Sequence, residues 1–297
     1  MNEDCALTLK KSYDVGEHLD PNKIQNLLDS SELVKRLLDP PKRLPLTFAG
    51  LRNYMWRLLE LSEIPYSYTL KRVKKWVNLL VDKSFIPEGF TLEGKKDNLL
   101  ACHNALITTI LIKIGYEDRE KIDIGIEWIL KYQSVERGKE CTWNGKDLLT
   151  RFGGCMKKIP CYHGVVKSMY ALSEYNKRYR SSEGLINKLN RGLQYILEHN
   201  VYKRFSDDKP IEDSIILNFY PYTYKSNLIE ILTLLKDNNL MGDKRCNDAI
   251  AILKKKQRSD DFWQTDISYM KSGWIDFDVP KKPGPWITYI ISKLLSD

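Results

Sequence analysis

Cysteine is scarce: six in 297 residues, too few for the disulfide framework of a secreted scaffold, so a reducing, cytoplasmic setting is the expectation. Long apolar runs are missing too. The longest, "ALITTILI" over 105–112, falls far short of the roughly 20 residues of a membrane-spanning helix. The opening "MNEDCALTLKK" has no apolar stretch of signal-peptide type. There is no low-complexity segment, no sustained strand-like alternation, no glycine-rich phosphate loop and no nucleophile elbow. The net charge of +8 comes without a basic tail or an RNA-binding signature; lysines such as those of "KRVKKW" and "ILKKKQR" are scattered along helical segments. They read as a solvated surface, and no nucleic-acid partner is expected.

What the chain does have is helical periodicity. Ile186, Leu189, Leu193, Ile196 and Leu197 form one stripe of a half-buried helix, whereas "LLACHNALITTILIKIG" is apolar almost all round. The two kinds alternate. Fully buried segments are expected at 47–61, 99–114, 161–175, 221–235 and 285–295, and amphipathic ones at 31–38, 70–82, 119–132, 185–199 and 244–256. Breaks fall at "DPPKRLP", "PEGF", "RFGG" and "KKPGP". Residues 1–20 read as a poorly ordered N-terminus and 21–297 as a single all-α domain.

An internal repeat runs through the amphipathic helices. "GIEWILKYQ" (125–133), "GLQYILEHN" (192–200) and "AIAILKKKQ" (249–257) align without gaps, and "KWVNLLVDK" (75–83) is a weaker copy. An aromatic follows each: Phe90, Trp143, Phe205 and Trp263. Two helices per repeat, one buried and one amphipathic, predict helix pairs stacked on helix pairs. With the buried helices inside and the amphipathic ones outside, the layers predict a closed α/α toroid, since an open solenoid would expose one face of the inner helices.

The pattern Gly125, Trp128, Ile129, Gln133, Trp143, repeated as Gly192, Tyr195, Ile196, Asn200 and as Ala249, Ile252, Leu253, Gln257, Trp263, resembles the repeat of squalene/hopene cyclases and protein prenyltransferases. Asn200 replaces the usual glutamine and Asp261 the usual glycine. The resemblance covers roughly 45–297, and the ending "PKKPGPWITYIISKLL" resembles uncharacterised prokaryotic members of that superfamily. It implies an α/α toroid around an apolar cavity and an apolar, isoprenoid-like substrate such as an isoprenoid diphosphate. Tyr220, Tyr222, Tyr224 and Trp286 would line the cavity, unless they simply pack the inner helices. Lys167, Arg151 and Lys225 are the basic candidates for a diphosphate. The Asp-x-Asp-Asp acid of hopene-type cyclases is absent. Its nearest counterparts, Asp276/Asp278, Asp207/Asp208 and Asp260/Asp261, read as loop or capping acids.

The densest chemistry is a cluster of cysteines. Cys141, Cys155, Cys161 and His163 follow the spacing C-x13-C-x5-C-x-H, with Cys102 and His103 at the start of another buried helix. Loop cysteines followed by a Cys-x-His at a helix start suit tetrahedral zinc. The expected set is Cys155, Cys161 and His163, with Cys141 or Cys102 as the fourth ligand, and packing or a redox pair as alternatives. Four ligands would make the zinc structural; three would leave a catalytic position open. "CYHG" (161–164) also resembles the zinc-bearing Cys-His-Gly of lanthipeptide-cyclase toroids, with Tyr162 interrupting it. Isolated Cys5, Cys246, His18 and His199 read as packing or surface residues. Small residues Ala49, Gly50, Ala101, Ala105 and Gly164 near helix starts predict an apolar pocket opening beside His163. Two functions follow: a zinc-binding toroidal enzyme with an isoprenoid-like substrate, or a non-catalytic zinc-stabilised binding or scaffold protein of the same fold.

Overall fold

A computed structural model describes residues 3–138, 143, 159–179, 182–268 and 273–296. Among them the chain is all-α apart from one small hairpin. In chain order the helices are α1 (Cys5–Asp14), α2 (Pro21–Ser30), α3 (Glu32–Leu37), α4 (Phe48–Ser62), α5 (Lys71–Ser84), α6 (Ala101–Ile114) and α7 (Arg119–Tyr132). They continue with α8 (Tyr162–Arg178), α9 (Glu183–Glu198), α10 (Leu228–Asp237), α11 (Asn247–Lys255) and α12 (Pro285–Leu295). Strands β1 (Phe85–Ile86) and β2 (Gly89–Phe90) pair antiparallel, Phe85 opposite Phe90. No described helix is long and apolar enough to cross a membrane.

The alternation of buried and amphipathic helices is present. Helices α4, α6, α8, α10 and α12 make one row, each touching the next, with α6 against α8 the most extensive contact. Helices α5, α7, α9 and α11 pack outside, each on the inner helix just before it in sequence. In α6 nearly every residue from Ala101 to Ile112 is buried, whereas α9 buries only one stripe, Leu185, Leu189, Gly192, Leu193, Tyr195, Ile196 and Leu197.

The repeat now has a physical reason. A Cβ on Gly125 would overlap the Thr108 hydroxyl of α6, and one on Gly192 would overlap the Met169 thioether of α8. Ala249 of the third copy is fully buried. The small residue is therefore where an outer helix crosses its inner partner at closest approach. The trailing aromatic closes the outer helix's carboxyl end: Trp143 packs edge-on against Trp128 and Tyr132, and the Trp263 indole donates to the Leu253 carbonyl at 2.8 Å.

Two expectations are corrected. Part of the segment expected to be poorly ordered is helix α1, capped by Asp4, with Ala6, Leu7 and Leu9 fully buried. Its apolar positions are too few to stand out in the sequence, yet they meet α2 and α3. Helix α10 begins at Leu228 instead of 221, because the Asn227 side chain accepts from the Glu230 amide and sets the start there.

Candidate functional site

Most helix starts are closed by a side chain. Asp20, Ser31, Thr47, Asp118, Ser182 and Asn227 cap α2, α3, α4, α7, α9 and α10, and Asp278 takes the Trp286 and Ile287 amides of α12 at 3.0 and 2.8 Å. The neighbouring inner helices α6 and α8 have no side-chain cap. Each carries a cysteine there instead: Cys102 in the first turn of α6 and Cys161 at the N-cap of α8. Gly164 lies between the two starts, where a Cβ would make ordinary contact with the Cys161 Cβ at 3.6 Å and with that of Ala101 at 3.8 Å.

The electrostatics of this rim are those of a thiol pair. Burial pushes the Cys102 thiol up to about 12, and the nearby Cys161 adds to the rise. The backbone N–H groups of His103 and Cys102, and the Lys167 ammonium, oppose it by favouring the thiolate. One turn into α8, the buried Lys167 lies 2.5 Å from both oxygens of the buried Glu230 carboxylate. Burial lowers the Lys167 pKa and raises that of Glu230, each toward its neutral form, while their mutual attraction opposes both shifts.

The two histidines have different surroundings. The Ser226 amide donates to His163 Nδ1 at 3.1 Å, so the ring proton sits on Nε2, 2.9 Å from Glu212. Both ring nitrogens are committed, and burial pushes the pKa down to about 4. His103 packs its ring 5.8 Å from Phe48, and burial holds it near 4 as well. Cys141, Cys155 and Arg151 lie outside the described residues. Among the described residues no three histidine, cysteine or acidic side chains form a metal-ready group.

Other candidates have structural partners. Lys167 is taken by Glu230 and Lys225 by Glu212. Cys246 is buried with its thiol on the Leu240 carbonyl, His199 bonds the Lys203 carbonyl, Cys5 is half-buried and His18 is exposed. Asp207 and Asp260 pair with Arg204 and Arg258.

A cleft lies at the other end of the inner helices. It measures about 800 Å³ and opens at the carboxyl ends of α4, α6, α8, α10 and α12, framed by Ser62, Ile114, Lys177, Asp237 and Leu294. At 1.5 Å rise per residue, His163 and Arg178 stand roughly 20 Å apart along α8, so this cleft is not the opening expected beside His163. Tyr220 and Tyr222 line it; Trp286 and Tyr224 do not. Trp286 is buried, stacked on Tyr220 at 6.1 Å and edge-on to Phe277 at 4.9 Å. Tyr224 stacks on Trp56 and is 40% exposed. At the cleft's base the buried Glu63 accepts from Lys113 at 2.6 Å and from the Tyr220 hydroxyl at 3.0 Å. Sequence reasoning missed Glu63 and Lys113. One signal was available: a basic residue in the last turn of several inner helices, Lys113, Lys177, Arg178, Lys236 and Lys293.

No protein-family model, curated protein or solved structure matches the chain.

Proposed function

We propose that the chain is a zinc-stabilised binding protein of α/α-toroid architecture, with the metal held by thiolates where α6 and α8 begin. The observation that carries this reading is the meeting of Cys102 and Cys161, far apart in sequence, at the two inner-helix starts without a side-chain cap. Burial holds the Cys102 thiol protonated. Only the helix-start N–H groups, the helix dipole and Lys167 work toward the thiolate that ligates zinc, so the charge of the metal itself would supply the rest of the stabilisation. With His163 bonded to Ser226 and Glu212, Cys141 and Cys155, which lie outside the described residues, are proposed as the remaining ligands. Zinc on these sulfurs would tie the two helix starts to the segment between α7 and α8.

Ring closure belongs to this proposal. Its support is that α1 touches both ends of the inner row: Asp14 bonds Tyr289 and Lys293 of α12, while Tyr13 packs edge-on against Tyr66 just beyond α4. Binding is preferred to isoprenoid chemistry because the aromatic residues next to the row are packed on one another and the described cleft is charged. A hydrocarbon gains little from displacing water off such a lining.

The test is elemental analysis of native protein beside Cys102→Ser and Cys161→Ser. One zinc per chain, lost in either variant together with a lower melting temperature, is expected. Metal-free native protein, with melting unchanged in both variants, refutes the proposal.

A further inference from the structure

The cleft at the carboxyl ends of the inner helices is lined in a way that selects its ligand. It has six aromatic residues, Tyr13, Tyr66, Tyr68, Tyr170, Tyr220 and Tyr222, and every one carries a hydroxyl. The chain's eight Phe and seven Trp contribute none. Aliphatic side chains, Ile64, Ile112 and Ile290 among them, lie between the rings. The remaining lining is ionic, and its charges are mostly paired. Lys113 holds Glu63, Lys10 and Lys293 hold Asp14, and Lys177 holds both Glu174 and Asp237 at 2.7 Å. Lys236 is spent on the carbonyls that end α12.

This lining disfavours three ligand classes. A hydrocarbon would leave hydroxyls and ion pairs desolvated. A free anion would meet the negative ends of five helix dipoles and lysine-paired carboxylates, with Lys74 and Arg178 the cations of the lining that stand outside the contacts above. A free cation would have to displace lysines from Asp14, Glu63, Glu174 or Asp237. Lys10, Lys74 and Lys113 already lie over the Tyr13, Tyr68 and Tyr170 rings, and Tyr220 stacks on Trp286. What the walls offer is therefore hydroxyls, donors and acceptors side by side, and a volume within the usual range of small-molecule sites.

Tyr66 gives an independent sign of function. It stands at the cleft mouth with φ 61°, ψ 5°, the left-handed region that costs a non-glycine residue about 1 kcal/mol or more. Glycine or asparagine would hold that turn at lower cost. Tyrosine there puts a ring against Tyr13 at 5.6 Å, face and edge across the entrance.

We propose that this cleft binds a neutral, hydroxyl-rich ligand of sugar type, resting against the exposed Tyr66 ring at the mouth with its hydroxyls bridging the paired charges and the tyrosine hydroxyls. A sugar presents hydroxyls that both donate and accept, as the tyrosine hydroxyls do, and a C–H face that suits the ring at the entrance. This goes beyond the zinc proposal and does not depend on it.

The experiment is ligand-observed NMR on the full chain with neutral disaccharides (maltose, cellobiose, xylobiose and chitobiose). Pyrophosphate, choline and farnesol serve as anionic, cationic and hydrocarbon controls. At least one disaccharide is expected to bind, with affinity falling at least tenfold in Tyr66→Gly, a variant whose melting temperature stays the same or rises. The inference is overturned if no disaccharide binds, if a control alone binds, or if disaccharide binding is unmoved by Tyr66→Gly. Zinc content measured on the same sample separates the two proposals: a metal-free protein that binds sugar leaves this one standing.

Discussion

Lys167 and Glu230 show what a single buried pair does for this fold. Both side chains are almost wholly out of water, at 1% and 3% exposure, so neither charge is tolerated alone. Removing one partner leaves the other uncompensated, a cost of about 3–5 kcal/mol. Lys167→Met is therefore expected to lower unfolding stability by that amount, and Lys167→Met with Glu230→Leu to recover most of it, as read by urea titration. Equal losses in the single and double variants would show that the pair is not what the site needs. At this scale the sequence was legible for where residues stand and not for what they touch. Cys102 and Cys161 stand at helix starts that hydrophobic periodicity locates. The partners of His163, Glu212 and Ser226, come from a non-helical stretch that no periodicity describes.

Helices were the most readable feature, because an inner helix is apolar all round and an outer one is striped. The repeat's small position belongs to the same scale. Gly192→Ala forces a Cβ into the Met169 thioether, and overpacking of this kind costs about 1–3 kcal/mol. An unchanged denaturation midpoint would contradict the close-crossing account. Helix α12 gives a pH signature. Its start is held by Asp278, and burial pushes that carboxyl up to about 6 from its ordinary 3.8. Between those values the folded chain keeps a proton that the unfolded chain has released. Stability from this group therefore falls as pH rises through about 4 to 6. The effect is expected to vanish in Asp278→Ala, which also loses about 1–2 kcal/mol of capping, measured by melting across that range. A pH slope unchanged in the variant would contradict the assignment. Helix α1 was illegible because three buried residues among lysines make no stripe; only contact with α2 and α3 makes it an element.

Over the whole molecule the two ends of the inner helices do different things. Their amino ends gather thiols at α6 and α8, and their carboxyl ends frame a cleft of tyrosines and ion pairs. The cleft was beyond sequence reasoning because its walls come from the last turns of five helices and from α1. Each contributes one or two charged residues that read singly as surface. The proposed zinc also predicts that a chelator strong enough to strip the protein lowers its melting temperature, since metal binding is coupled to folding. X-ray absorption at the zinc edge of protein purified without added metal is the most direct test of the central claim. The account predicts a sulfur-dominated shell at about 2.3 Å that loses scattering in Cys102→Ser. An absent zinc edge, or a shell of nitrogen and oxygen alone, would contradict it.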